Sequence, residues 1–197
     1  LPALRSQTLA PSAIVVIDSS SRDDTVAQAR AAGAIVEVIP RARFDHGATR
    51  NLGAALAGDV DFLVFMAQDA LPVDDGMLAR LVQPLVERTA AAAFARQVPY
   101  PRARPWEVFA RTFNYPGQSQ LRSALDIPRL GVRALFFSDV ASAVTRRAFD
   151  AAGGFPERTI MNEDMILCGR LLARGEAVAY QAEARVYHSH DYRIAQQ

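Results

Sequence analysis

The sequence predicts an α/β fold in which helices flank a mostly parallel central sheet. The first two thirds alternate short apolar runs with amphipathic stretches, which is the order expected of strand–helix–strand units. Two of the apolar runs end in an acid: 14–17 leads into Asp18, and 62–66 leads into Gln68 and Asp69. Because ligands bind beyond the carboxyl ends of parallel strands, this spacing predicts an enzyme site assembled from distant segments.

Turn and capping residues mark the first elements. The apolar run 13–18 predicts a buried strand. Ser21, with Asp24 three residues later, predicts a capping box for the helix that follows, and Gly33 is placed to end it. A second strand is predicted over 34–39, while residues 1–7 resemble the end of a helix.

The next helix and strand follow the same alternation. Thr49 is predicted to cap a helix that ends at Gly58, which would place Arg50 and Asn51 at a helix N-terminus, a position suited to diphosphate. The alternative interpretation is that Arg50 and Asn51 belong to a solvated basic turn. The run 61–66 predicts the third strand.

One further helix and strand complete the first half. Asp74 is predicted to open an amphipathic helix, and Pro84 should kink or end it. The alanine-rich run 91–98 predicts a fourth strand.

The character of the chain changes between residues 99 and 133. Five prolines exclude long regular elements, and six arginines alternate with aromatic residues. Trp106, Phe109 and Phe113 fit one face of a helix that begins at Pro105. Two readings are open: a connecting segment that packs on the core, or a binding lobe that also touches a membrane surface.

Regular structure resumes with a strand over 138–145 and a short helix over 146–152. Asn162 is predicted to cap the last helix, which ends near Gly175. A final strand is predicted over 177–180. We see no repeat or linker, so the chain is expected to be a single domain.

Composition excludes several classes of function. The net charge is +1, which gives no reason to expect nucleic acid as a partner. All 22 basic residues are arginine, so a lysine nucleophile is excluded. The single cysteine, Cys168, lies in an apolar helical pattern and is expected to be a small core residue. No apolar stretch approaches the ~20 residues that span a bilayer, which predicts a cytoplasmic protein, soluble or peripheral to the membrane.

Acidic residues and histidines are the candidates for chemistry. Asp18 either binds a nucleobase edge or shapes the turn after its strand. Asp69 either binds a divalent cation together with a diphosphate or caps a turn. His188 and His190 alternate in an extended segment, so both imidazoles would lie on one side, and with Asp69 they form a plausible metal site.

Glu163 and Asp164 lie in the first turn of the predicted last helix. Acids at this position complement the helix dipole, and the same dipole favours the ionised carboxylate that a general base needs. Position alone leaves both readings open.

Taken together, these segments resemble the inverting GT-A glycosyltransferases of family 2. The matching segments are 18–25, a nucleotide-binding segment; 44–51 (FDHGATRN), a signature of the rhamnosyltransferase-like bacterial branch; 68–70, the metal motif; 146–157, the acceptor-side turn; and 162–175, the catalytic segment. The resemblance covers nearly the whole chain in order. The family's opening strand is the exception, and it is expected to be missing here.

The resemblance implies a Rossmann-like GT-A domain over 1–197, with a nucleotide-sugar half (1–98) and an acceptor and catalytic half (99–197). It implies transfer of a sugar, rhamnose from dTDP-rhamnose first, to an acceptor hydroxyl with inversion, in bacterial cell-surface polysaccharide synthesis. The partners would be a nucleotide-diphosphate sugar and a glycan or lipid-linked glycan, at the cytoplasmic side of the plasma membrane. The alternatives are a sugar nucleotidyltransferase and a silent nucleotide-sugar-binding module.

The resemblance also implies a role for each site residue. Asp164 would be the base and Glu163 its helper, and Mg²⁺ or Mn²⁺ would be the cofactor. The nucleotide sugar would be bound by Asp18, Ser20, Arg50, Asn51, Gln68 and Asp69. The acceptor would contact Trp106, Gly153, Gly154 and Phe155. The metal would be held by Asp69, His188 and His190.

Overall fold

A computed structural model describes residues 1–188 of the chain and confirms the α/β class. The strands of the described region are β1 Val15–Asp18, β2 Ile35–Val38, β3 Phe62–Met66, β4 Leu71–Pro72, β5 Ala92–Val98, β6 Gln120–Arg122, β7 Ala141–Thr145 and β8 Val178–Tyr187. The helices are α1 Pro2–Arg5, α2 Thr25–Ala31, α3 His46–Leu56, α4 Met77–Val86, α5 Pro105–Asn114, α6 Ile127–Leu130, α7 Arg146–Ala151 and α8 Glu163–Ala173. Short 3-10 turns occupy Arg41–Arg43, Ala124–Asp126 and Gly131–Leu135.

The strands form two sheets. β1 and β2 pair in parallel, and a six-stranded sheet has the order β3-β7-β5-β8-β4, with β6 also on β8. β5 and β8 are parallel, while β7 is antiparallel to both β3 and β5. β3, β5 and β8 therefore run in one direction and end at one edge of the sheet, where β7 begins.

Apolar side chains pack on both faces of the six-stranded sheet because successive strand residues point to opposite sides. One cluster joins α7 and α8 to one face through residues such as Phe94, Phe149 and Leu171. The other packs the predicted apolar stripe of α4 on the opposite face. Cys168 is fully buried, and burial raises the pKa of its thiol to about 12, which confirms a core residue.

Three helix starts differ from the sequence prediction, and one is that of α4, whose N-cap is Gly76 and not Asp74. Asp24 is at the N-cap of α2 without a side-chain bond, and Ser21 caps nothing. Asp45, not Thr49, caps α3, because its extended backbone lets the carboxylate accept the Ala48 N–H at 2.7 Å. Arg50 and Asn51 consequently lie in the second turn of α3 and not at its N-terminus.

Two other elements refine the predictions. Pro84 lies in the last turn of α4, which ends at Val86, and its carbonyl accepts the N–H groups of Thr89 and Ala90. The final strand, β8, reaches Tyr187, well beyond the predicted end at residue 180. It is longer because β4 and the end of β5 pair with its second half.

The structure predicts that Gly47→Ala is strongly destabilising. A Cβ at Gly47 would lie 1.9 Å from the Pro156 carbonyl oxygen, so α3 would have to move away from the loop before α8. We expect the free energy of unfolding to fall by about 1–3 kcal/mol or more, measured by urea denaturation.

Gly53→Ala in the same helix is the matched control. Its new Cβ would meet only Ile17 Cγ1, at 3.8 Å, and alanine favours a helix over glycine by about 1 kcal/mol. Equal stability of the two variants would contradict the close approach of α3 to Pro156.

Candidate active site at the sheet edge

The candidate site lies at the edge where β3, β5 and β8 end. Asp69 follows β3, and Asp139 lies just before β7, beside β3, because the Ala67 N–H donates to the Val140 carbonyl at 3.0 Å. His188 follows β8, and its N–H donates to the Val98 carbonyl at the end of β5, at 3.2 Å. Three ionisable side chains from distant segments therefore share one edge, and the sequence analysis singled out two of them, Asp69 and His188.

Arg50 joins this edge to the start of α8. Its Nη2 lies 2.7 Å from Asp139 Oδ2, and its Nη1 donates to Glu163 Oε1 at 3.1 Å. Nη1 also donates to the His46 carbonyl, and the guanidinium lies 5.6 Å from the centre of the Phe155 ring. The guanidinium that the sequence assigns to the nucleotide is thus occupied by two carboxylates.

The first turn of α8 separates the roles of its two acids. Glu163 is buried, with 6% of its surface exposed, and pairs with Arg50. Asp164 is half-buried, and its Oδ1 accepts the Met165 N–H at 2.7 Å. Asp164 is therefore the more accessible of the two acids.

Asn162 does not cap α8 through its side chain, contrary to the prediction. Its backbone is left-handed, with φ of 66°, a conformation that asparagine tolerates better than most residues. The residue acts by turning the chain into α8, which sets the direction of Glu163 and Asp164.

The acids at this edge hold protons more tightly than isolated carboxyls. Burial raises the pKa of Asp139 to about 7. The negative charges of Asp164 and Glu163 also raise it, whereas the positive charge of Arg50 lowers it. Burial also raises the pKa of Asp164. Desolvation of the Asp164 carboxylate is the largest of the effects on its pKa and opposes the helix dipole, which favours the ionised form.

Asn51 binds the backbone of the loop before α8. Its Nδ2 donates to the Phe155 carbonyl at 3.0 Å, while its Oδ1 accepts the Phe155 N–H at 2.9 Å. Nδ2 also lies 3.4 Å from Glu157 Oε1. The side-chain amide is thereby used within the protein, and these bonds give no support to a nucleotide contact.

The predicted acceptor residues fall into two groups. Phe155 is only 1% exposed and packs on Phe65 and Phe149, so its side chain belongs to the core, and its part in the acceptor wall stays a prediction. Gly154 is buried and Gly153 is exposed.

Trp106 belongs to the exposed group of predicted acceptor residues. It lies exposed on α5, with the Arg104 guanidinium 5.3 Å from its ring. The predicted aromatic face of α5 is confirmed, and Phe109 and Phe113 on it are 70% and 66% exposed.

The predicted nucleotide residues at the end of β1 shape a turn. Both carboxylate oxygens of Asp18 accept the Ser21 N–H, at 2.8 and 3.1 Å. Ser20, with φ of 62°, donates its hydroxyl to the Ile39 carbonyl. The turn reading of Asp18 is thereby observed, and base recognition stays a prediction. Gln68 is exposed beside Asp69, at the end of β3.

Asp69 and His188 lie side by side, with Nε2 of the imidazole 3.4 Å from Asp69 Oδ1. An oxygen and an imidazole nitrogen suit a divalent cation such as Mn²⁺. Within residues 1–188 the structure shows no group of three or more acidic, histidine or cysteine ligands. His190, the third predicted ligand, lies outside the described residues.

Sequence reasoning did not single out Asp139, Ser138 or Gln97. The signal was present: Ser138 and Asp139 are polar residues between two phenylalanines and an apolar strand, and Gln97 interrupts the apolar run of β5. A buried polar residue at a strand end is a candidate for a site when a partner lies nearby, and the partner is not visible in the sequence.

Residues 1–152 match the family model described as glycosyl transferase family 2. Two curated relatives are 40% identical: the O-antigen chain rhamnosyltransferases WbaN of Salmonella anatum, over 190 residues, and RfbN of Salmonella typhimurium, over 193. The alignments cover 96% and 98% of this chain but 60% and 62% of those proteins. The chain thus spans about three fifths of the length of these relatives.

Solved structures support the GT-A fold. S. aureus TarS 1-349 in complex with UDP-GlcNAc superposes with a TM-score of 0.69 at 15% identity, covering 98% of this chain and 54% of that one. The mannosyltransferase PcManGT of Pyrobaculum calidifontis, in complex with GDP-Man and Mn²⁺, gives 0.67 at 18% identity, covering 98% and 52%.

The raised pKa of Asp139 predicts a particular dependence of stability on pH. The folded state holds the Asp139 proton up to about pH 7, whereas the unfolded chain releases it near pH 4, so Asp139 lowers stability as pH rises through this window. The slope is at most about 1.4 kcal/mol per pH unit for one group.

Urea denaturation of the wild type and of Asp139→Asn from pH 4 to 8 measures this effect. We expect the stability of the variant, relative to the wild type, to rise between pH 4 and 7 and then to level off. A constant difference over this range would contradict a buried, proton-holding Asp139. Asp150→Asn, an exposed acid paired with Arg146, is the matched control.

Proposed function

We propose, because this chain belongs to glycosyltransferase family 2, that it transfers a sugar from a nucleotide diphosphate to an acceptor hydroxyl with inversion at the anomeric carbon. Rhamnose from dTDP-rhamnose is the first candidate donor, and cell-surface polysaccharide is the proposed product. The names of the two Salmonella relatives support this choice. The family assignment itself rests on the match over residues 1–152.

The observation that carries the proposal is the accessible Asp164 in the first turn of α8. Arg50 ties this turn, through Glu163 and Asp139, to the edge where Asp69 lies. A hydroxyl beside Asp164 would give its proton to the carboxylate as its oxygen attacks the anomeric carbon. The bond from that carbon to the diphosphate oxygen breaks, and the nucleotide diphosphate leaves with the electron pair.

A raised pKa suits this role for Asp164, because a stronger base takes a hydroxyl proton more readily. Glu163 is too buried to compete for the proton, and we propose that it orients the turn through Arg50. Asp164 acts only when ionised, so transfer should fall at low pH.

We propose that Asp69 and His188, with His190, hold Mg²⁺ or Mn²⁺ at the end of β3. Such a cation, when bound, would neutralise the charge that develops on the leaving diphosphate. Asp69 and Gln68 would position the diphosphate, and Asp18 and Ser20 the base. Arg50 and Asn51 would support the nucleotide side indirectly, by ordering the loop that leads to Asp164.

We also propose that α5 faces the acceptor and the cytoplasmic surface of the membrane. Trp106, Phe109 and Phe113 present apolar surface beside arginines, a combination that binds acidic lipid headgroups or sugars. Within residues 1–188, no helix combines the length and the apolar character needed to cross a bilayer.

The test of the reaction is a transfer assay with labelled dTDP-rhamnose and a lipid-linked glycan acceptor. We expect Asp164→Asn to reduce turnover by about 10²–10⁴-fold, the usual contribution of a positioned base, while the melting temperature and donor affinity stay near wild type. A nucleotidyltransferase would instead release pyrophosphate, and a silent binding module would bind donor without turnover.

Glu163→Gln is the matched control at the neighbouring position. It removes the negative charge that faces Arg50, so we expect a lower melting temperature with a smaller loss of turnover per folded molecule. If Glu163→Gln abolishes turnover and Asp164→Asn retains it, the base is Glu163.

Donor binding should depend on the cation and on Asp69. Asp69→Asn keeps the shape of the side chain and removes its charge, so the affinity for dTDP in the presence of Mn²⁺, measured by calorimetry, should fall at least tenfold. Asp75→Asn, on the loop after β4, is the control. The same affinity in the wild type with EDTA as with Mn²⁺ would contradict the cation site.

A further inference from the structure

The two ring nitrogens of His188 face different partners. Nε2 lies 3.4 Å from Asp69 Oδ1, at the outer side of the sheet edge. Nδ1 lies 2.8 Å from Gln97 Oε1, in the interior. His188 and Gln97 are only 5% and 3% exposed, so water does not compete freely for the contact between them.

Gln97 is itself held by two hydroxyl groups. Its Nε2 donates to Tyr115 Oη at 2.5 Å and to Ser138 Oγ at 2.8 Å. The Ser138 hydroxyl also bonds the Tyr115 phenol, which lowers the pKa of that phenol against the stronger opposing effect of burial. With its Nε2 held by these two hydroxyl oxygens, the Gln97 amide turns its Oε1 towards His188.

An amide oxygen accepts hydrogen bonds and donates none, so the Nδ1 that faces it must carry the proton. Arg111 competes for the same atom: its Nη2 lies 3.3 Å from Nδ1 and would favour a lone pair there. The Gln97 contact is shorter, and Arg111 Nε is already committed to the His188 carbonyl at 2.9 Å. The Asp69 carboxylate, 3.4 Å from Nε2, would favour the proton on that nitrogen, but the 2.8 Å contact with Gln97 is the shortest and places the proton on Nδ1.

We propose that Gln97 is a positioning residue that takes up the Nδ1 proton of His188, so that the imidazole presents its Nε2 lone pair beside Asp69. The proposal rests on the cation site proposed above, where this lone pair would be a ligand. A distance of 3.4 Å from Nε2 to Oδ1 exceeds a normal hydrogen bond but suits two ligands that share one cation at about 2.0–2.2 Å each. Metal-binding histidines commonly give their second N–H to such a partner.

The first test reads the tautomer directly in the metal-free protein. Long-range ¹H–¹⁵N NMR of the full chain distinguishes the two neutral forms, and a His188→Asn variant assigns the signal among the three histidines. We expect Nδ1–H in the wild type and in Gln97→Glu, whose carboxylate also accepts this proton. Gln97→Met should shift the population towards Nε2–H.

The second test measures Mn²⁺ affinity by electron paramagnetic resonance, without nucleotide. Gln97→Met should bind Mn²⁺ about 10–100-fold more weakly than the wild type, and Gln97→Glu should bind it at least as tightly. Ser142→Ala, which removes another buried hydroxyl of the same sheet, should leave both readouts unchanged.

Each outcome decides one point. A wild-type Nε2–H tautomer, or equal Mn²⁺ affinity of the wild type and Gln97→Met, overturns the role of Gln97 and leaves the proposed transfer reaction intact. Failure of the wild type to bind Mn²⁺, with the Nδ1–H tautomer present and lost in Gln97→Met, removes the cation from the proposed function and retains the positioning role. If Gln97→Met fails to fold, Tyr115→Phe replaces it, because this change removes one of the two hydroxyl groups that hold the Gln97 amide. Its histidine tautomer and Mn²⁺ affinity are then compared with those of Gln97→Glu.

Discussion

The site depends on one half-buried guanidinium shared between two buried acids. Arg50 lies on α3, Asp139 precedes β7, and Glu163 begins α8, so a single side chain fixes three segments that are far apart in the sequence. Removing a charge from such a group leaves another charge buried without compensation, which costs far more than an exposed pair contributes. The position of Asp164 follows from this arrangement, because it is the next residue after Glu163.

The neighbouring Asn51 adds hydrogen bonds to the backbone of the loop before α8. Its amide pairs with both the N–H and the carbonyl of Phe155, in the way that one strand pairs with another. The loop can approach so closely because Gly154 lacks a Cβ, which would lie 2.6 Å from Asn51 Oδ1. Two consecutive residues of α3 thus hold the loop between α7 and α8 by independent interactions.

Local chemistry made most of the fold predictable. Apolar runs marked β1, β3 and β5, and the helical period marked α4 and α5, because these signals depend on residues close in the sequence. Helix N-caps were harder to predict. Asp45 and Thr49 are both suitable N-cap residues for α3, and only the extended backbone of Asp45 decides between them. The second half of β8 was missed because its pairing partners, β4 and β5, are distant in the chain.

The sequence predicts candidate site residues but not the contacts between them. Asp69 and Asp164 were predicted as site residues from their positions after a strand and at a helix start, and His188 from its alternation with His190; these roles stay predictions. The sequence could not show that Arg50 would be taken by two acids, nor that Phe155 would turn into the core. The sequence also could not show how far Asp164 is buried, since the desolvation that raises its pKa depends on tertiary packing.

The state of Cys168 has a practical consequence. A thiol with a pKa near 12 and no exposed surface is almost entirely protonated at neutral pH, and maleimide reagents react with the exposed thiolate. The protein therefore behaves as cysteine-free in labelling chemistry. A single cysteine introduced on its surface would accept a fluorophore or spin label selectively, without removal of the natural one.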